Sequence, residues 1–165
     1  MIRFGTCSWK YPSWKGIIYS DKSKSNYLKD YSAHFSTVEI DQWFWSLFPP
    51  NKVVLPDKNV VQKYKDSVRE DFLFTIKVPN SITLTHFYNR GKKGPLKTNP
   101  YFLSASLFEE FMETLEPAAN NIGCLIFQFE YLNKQKMSSL PVFMEKLYKF
   151  HSNLPKDIPP IGMEV

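Results

Sequence analysis

A chain of 165 residues with 43% hydrophobic and 22% charged side chains can bury a sizeable core, which excludes a disordered or fibrous protein. No apolar run approaches the length that crosses a bilayer, and Met1-Ile2-Arg3-Phe4 leads into a strand pattern rather than a signal peptide, so a cytoplasmic protein without membrane contact is expected. Lys and Arg outnumber Asp and Glu by 21 to 16, a mild bias towards anionic partners, and the distant Cys7 and Cys124 are expected as buried thiols rather than a disulfide or a metal site.

The first strand is expected over Ile2 to Thr6. After it come Trp9, Lys10, Tyr11, Trp14, Lys15 and Tyr19, then a helical stripe of Tyr27, Leu28, Tyr31 and Phe35. A second strand over Thr37 to Asp41 is followed by Trp43, Phe44, Trp45 and Phe48. Val60, Val61, Tyr64 and Val68 then mark a helix that Asp57 is placed to cap. A third strand spans Phe72 to Val78. Leu107, Phe108, Phe111 and Leu115 follow a Ser106-x-x-Glu109 capping box. A fourth strand over Ile122 to Phe129 precedes a helix with the stripe Leu140, Met144, Leu147 and His151 and with Pro141 in its first turn; a fifth begins at Ile161 and reaches Val165.

Strand and helix alternate throughout, which argues for parallel strands joined by right-handed crossovers, in an open sheet or a closed barrel. No Gly-x-Gly-x-x-Gly or Walker-type loop follows any strand, so a TIM-barrel type is the better expectation, as a single domain over residues 1–165.

Period-2 alternation then sorts the strand side chains. Val38 and Ile40 face the helices while Thr37, Glu39 and Asp41 face the interior. Leu73, Thr75 and Lys77 point inward opposite Phe72, Phe74, Ile76 and Val78. Cys124, Ile126 and Gln128 point inward opposite Leu125, Phe127 and Phe129, and Glu164 points inward opposite Met163 and Val165. Glu39, Lys77, Gln128 and Glu164 thus meet at the carboxyl ends of neighbouring strands, where barrel active sites are built. A structural Glu39–Lys77 pair plugging the barrel mouth is an equal reading for either residue alone; four polar groups at one level favour a site.

The loop aromatics, Trp9, Trp14 and Trp43 among them, suit a rim for sugars or unstacked bases, though about half of such residues simply pack loops onto a barrel top. After the third strand a long segment without a clear helix carries His86, Arg90, Lys92, Lys93 and Lys97 with Gly91 and Gly94. Its composition fits a lid over an anion, and equally a solvated loop. Glu39 beside Lys77 fits a general base or a ligand anchor, Glu164 adds a second carboxylate, and Gln128 would orient substrate. His34 and His151 sit on helices, so a multi-zinc site lacks ligands; a single Mg²⁺ or Mn²⁺ on Glu39, Asp41 and Glu164 stays open, and no cofactor signature is present.

Gly5-Thr6-Cys7-Ser8-Trp9, Tyr11-Pro12, Trp14, Gly16, Tyr19 and Phe35-x-Thr37-Val38-Glu39-Ile40 resemble the YecE-like family, domain of unknown function 72. Lys77-Val78-Pro79-Asn80-Ser81-Ile82-Thr83 looks like that family's third strand exit, Gln128 its fourth-strand polar position and Gly162-Met163-Glu164-Val165 the start of its fifth strand. The resemblance implies a (β/α)8 barrel related in fold to sugar isomerases and to metal-dependent DNA-repair endonucleases, with no agreed activity. Where many relatives read Asn-Ser-Thr-Phe-Tyr, this chain reads Asp41-Gln42-Trp43-Phe44-Trp45. A complete barrel takes about 250 residues. About five strands and four helices are therefore expected here, with the rest of the barrel missing, so that the chain associates with itself or with a C-terminal half.

Two functions follow. One is acid–base chemistry on a small anionic or polyhydroxy substrate, with Glu39, Lys77 and Glu164 as catalytic residues and Trp9, Trp14, Asp41, Trp43, His86, Arg90 and Gln128 as substrate-binding ones. The alternative is nucleic-acid binding through the aromatic rim and loop lysines. A third reading is a nonfunctional truncated gene product.

Overall fold

The computed structural model describes residues 2–20, 26–88 and 94–164. In chain order it forms α1 (Tyr27–His34), β1 (Thr37–Ile40), a small antiparallel hairpin of β2 (Leu47–Phe48) and β3 (Lys52–Val53), then α2 (Lys58–Asp66) and β4 (Leu73–Lys77). The one-turn α3 (Asn80–Thr83), α4 (Ala105–Leu115), β5 (Ile122–Gln128), α5 (Leu140–Ser152) and β6 (Ile161–Glu164) complete it. β1, β4, β5 and β6 pair in parallel in that order, so the sheet is wound in one direction only.

The β-branched and aromatic residues of one parity close the core. Val38, Ile40, Phe74, Ile76, Leu125 and Phe127 are each at most 1% exposed. Helices α4 and α5 cover this face: Phe108 stacks on Phe127 at 5.7 Å between ring centroids, and Phe150 meets the same ring edge-on at 5.7 Å. Residues of the other parity, from Thr37 through Lys77 to Gln128, stay half-buried. The partner of β4 jumps from Ile122 to Cys124 between Phe74 and Thr75, which makes Gly123 an inserted residue; alternation breaks there and resumes from Cys124 in register with β4.

The N-terminal segment departs from expectation. Residues 2–6 form no ladder; they run beside β1, joined by one backbone bond from Glu39 N–H to Thr6 O at 2.9 Å. Other links are side-chain ones. Tyr31, fully buried on α1, receives the Thr6 N–H at 2.9 Å and donates its hydroxyl to Thr37 O at 3.0 Å, while Arg3 donates to Ser36 O at 3.3 Å. Contact is so close that a Cβ on Gly5 would lie 2.2 Å from Thr37 O. Ile2 and Phe4 stay exposed at 82% and 76%, because no strand lies on their outer side among the described residues.

Helix ends follow local chemistry, with two corrections. Asp57 caps α2 by accepting the Asn59 N–H at 2.7 Å, and Pro141 sits in the first turn of α5, as expected. At α4 the cap is Ser104, whose hydroxyl accepts the Leu107 N–H at 3.2 Å, so the Ser106–Glu109 box lies inside the helix. α5 buries Phe143, Leu147 and Phe150, leaving Leu140 and Met144 exposed at 70% and 52%; Phe143 meets Phe129 at 5.2 Å. Cys7 is exposed rather than buried, and both thiols are free. Among the described residues no helix is long and apolar enough to cross a membrane.

Candidate functional site

Parity and register bring the four strand-end polar residues to one face of the sheet. Glu39 stands opposite Thr75, and Lys77, two residues further along β4, reaches diagonally across: its Nζ lies 3.2 Å from Glu39 Oε1, with 19% and 25% of the two side chains exposed. On the other half of the face, Gln128 and Glu164 stand directly opposite, and Gln128 Nε2 donates to Glu164 Oε1 at 3.1 Å. Two polar pairs therefore line the same face, and no hydrogen bond joins one to the other among the described residues.

Beside Glu39 lies a cavity of about 220 Å³ bounded by Thr6, Cys7, Thr37 and Thr75. Cys7 was not expected there. Its position just past the N-terminal segment puts the thiol 3.5 Å from the Tyr11 hydroxyl. That hydrogen bond first, then burial and the Cys7 and Asp41 charges, push the Tyr11 pKa up. Burial likewise raises the Tyr19 phenol, which donates to Trp9 O.

Buried bonds pin the strand exits. Asn80 Oδ1 accepts Ser46 N–H at 3.0 Å, the Ser46 hydroxyl at 3.2 Å and Leu47 N–H at 3.0 Å, while Asn80 N–H donates to Phe44 O at 2.7 Å. Asn99 extends this core by donating to Ser81 O at 2.8 Å and Leu84 O at 2.6 Å. The connections after β1 and β4 thus share one polar latch.

The expected aromatic rim is mostly packing. Trp9 is 5% exposed and meets Tyr64 of α2 edge-on at 5.0 Å; Trp43 stacks on the same ring at 5.6 Å. Trp14 lies parallel to Tyr31 at 6.5 Å and against Tyr11 at 4.5 Å. These three indoles find partners on helices and loops, and Trp14 and Trp43 keep part of their surface exposed. Trp45, Phe48 and Tyr88 remain exposed around a groove of about 420 Å³.

Asp41 is exposed at the β1 exit. It does not gather with Glu39 and Glu164: among the described residues no three His, Cys, Asp or Glu side chains converge as metal ligands. His86 bonds Thr85 at 2.9 Å, away from Glu39. Arg90, Gly91, Lys92 and Lys93 lie outside the described residues, and Lys97 is engaged with Pro50 O and the Phe87 ring. Glu130, Thr85 and Lys136 form a further polar cluster that the expected set lacked; the signal was present, since Glu130 continues the Gln128 parity two residues on.

A one-directional parallel sheet, helices α4 and α5 on one face and paired polar side chains on the other define an α/β protein. The chain belongs to the family described as protein of unknown function DUF72, whose model matches residues 3–165. No curated protein matches it. Among solved structures it is similar to a DUF72 family protein from Enterococcus faecalis V583 in two crystal structures. The 3.10 Å structure shares 21% identity at a TM-score of 0.62, covering 100% of this chain and 50% of that one. The 2.52 Å structure shares 20% identity at a TM-score of 0.55, covering 99% and 51%. The chain therefore spans about half the length of the solved relatives it matches, and the likeness is one of fold.

Proposed function

We propose that the sheet is part of a closed TIM-type barrel and that its polar face is an acid–base site for a small anionic or polyhydroxy compound. Strand order supports the barrel: an open nucleotide-binding sheet reverses direction at a switch point, whereas β1, β4, β5 and β6 add in sequence. Helix packing on a single face and the doubled length of the solved relatives support it too. In this reading residues 1–165 form one domain that docks against a second barrel half or another copy of itself, covering the face that carries Glu39.

The observation that carries the chemistry is the Glu39–Lys77 pair, partly reached by solvent beside its cavity. A carboxylate held against an ammonium can take a proton from a substrate carbon or hydroxyl while the ammonium stabilises the oxyanion that forms. Gln128 and Glu164 supply one donor and one acceptor farther along the face, suited to substrate hydroxyls. The test is deuterium incorporation from heavy water into pentose and hexose phosphates, followed by NMR. Exchange that disappears in Glu39→Gln and Lys77→Met is expected; exchange unaffected by both would reject the assignment.

A second reading, single-stranded nucleic-acid binding, is supported by the exposed Trp45 and Tyr88, whose rings meet at 6.0 Å. Oligonucleotide binding that falls steeply with salt and survives Glu39→Gln would favour it.

A further inference from the structure

A separate group of titratable side chains gathers around Glu130, beyond the end of β5. Glu130 Oε1 accepts the Thr85 hydroxyl at 3.0 Å and the Thr85 N–H at 3.4 Å, and Oε2 pairs with Lys136. The two charged side chains are only 16% and 22% exposed, and none of Glu39, Lys77, Gln128 or Glu164 bonds to them. An ionised carboxylate only accepts hydrogen bonds, so the Thr85 proton points at Glu130. The Thr85 oxygen, 2.9 Å from His86 Nδ1, must then accept from the ring. This relay puts a hydrogen on Nδ1 and, in the neutral ring, leaves the lone pair on Nε2, which has no hydrogen-bond partner among the described residues.

His86 borders a cavity of about 370 Å³ whose walls also include Lys136, Lys146, Phe102, Met137 and Val142. That volume suits a small molecule. Glu130 offsets one of the two lysines, which leaves a net positive charge, while the Thr98 and Ser138 hydroxyls add donors. Three apolar side chains, Phe102, Met137 and Val142, beside cations and hydroxyls suit an anion that carries a small apolar group.

We propose that this cavity is a second ligand site, independent of the strand-end pair, that takes a phosphate monoester with a compact apolar or aromatic group. Lys146 pairs with the phosphate, a phosphate oxygen and His86 Nε2 share one proton, and Phe102, Met137 and Val142 enclose the body. Lys136 and the Thr85–Glu130 relay hold the imidazole in place and are positioning groups. A phosphate monoester fits better than a carboxylate, since its three terminal oxygens match the surplus of donors and cations.

Calorimetric titration of the full chain with phenyl phosphate tests this, with inorganic phosphate and phenol as comparison probes. Saturable binding of phenyl phosphate, stronger than of either comparison probe, is expected. Lys146→Met, an exposed position, should weaken it about tenfold through loss of one charge-assisted contact. Long-range ¹H–¹⁵N spectra of the free chain should show His86 in the Nδ1–H form, and Thr85→Val should abolish that preference. Absence of saturable binding, equal affinity in Lys146→Met, or an Nε2–H tautomer in the free chain would overturn the proposal. So would binding lost in Glu39→Gln but kept in Lys146→Met, which places the anion at the strand-end pair. The wild-type spectrum and Lys146→Met decide the matter even if Thr85→Val does not fold.

Discussion

Breaking the Glu39–Lys77 pair one residue at a time measures how firmly it is held. At 3.2 Å, two unit charges attract by about 5 kcal/mol at an effective dielectric of about 20 and by about 1.3 kcal/mol in bulk water. With 19% and 25% of the side chains exposed, the pair lies between these limits, and partial desolvation offsets much of the attraction. The expected coupling is therefore about 1–2 kcal/mol. A double-mutant cycle of wild type, Glu39→Gln, Lys77→Met and the double variant, read by urea unfolding, isolates it. Lys77→Met alone should destabilise by about 1–3 kcal/mol because it strands a half-buried carboxylate, and the double variant should recover part of that loss. Coupling below about 0.3 kcal/mol would mean a surface pair without fixed geometry, and the reasoning that makes it a preorganised site would fail.

Gly5→Ala forces a Cβ to within 2.2 Å of Thr37 O, so the N-terminal segment must part from β1; a loss of about 2–3 kcal/mol is expected in urea unfolding, against about 0.5 kcal/mol or less for Gly94→Ala, which meets nothing within 4 Å among the described residues. Asn80→Ala removes one oxygen that accepts three bonds and leaves the Ser46 and Leu47 amides unpaired, which should cost about 2–4 kcal/mol and speed their hydrogen exchange. The Tyr19 pKa is raised by burial above its ordinary 10.0, so the unfolded chain loses this proton first. The stability it carries is whole below pH 10 and drains as pH rises through the folded value. Tyr19→Phe should flatten that part of the alkaline unfolding profile, whereas an ultraviolet titration in which Tyr19 ionises along with exposed tyrosines contradicts it.

Strand parity was legible because alternation is local: Val38 against Glu39 and Phe74 against Lys77 sort themselves within a few residues. The N-terminal strand was misread because a strand needs a ladder, and residues 2–6 owe their place to a tyrosine hydroxyl from α1 instead. On α5, two apolar stripes share Leu147, and periodicity has no means of choosing between them. Phe108, Phe127 and Phe129, distant in sequence, select the stripe that presents Phe143 and Phe150. The packing partners of the aromatic loops were out of reach of the sequence for the same reason. Trp9 and Trp43 share one partner, Tyr64 of α2, that lies on a later element of the chain.

The buried latch bears on the proposed site through the strand ends that carry it. Glu39 and Lys77 are long side chains whose ordering costs entropy, and their attraction alone does not fix where two neighbouring strand ends lie. The chain fixes them just past the ends of β1 and β4, where Asn80, itself buried with Ser46, ties Phe44, Ser46 and Leu47 of one connection to the other. Ser81 accepts from Asn99 and so extends the same network towards α4. For the proton transfer proposed above such support matters, because a displacement of about 1 Å costs roughly a hundredfold in rate. Asn80 thus ties together the two connections that follow the strands of Glu39 and Lys77, with no hydrogen bond to either residue.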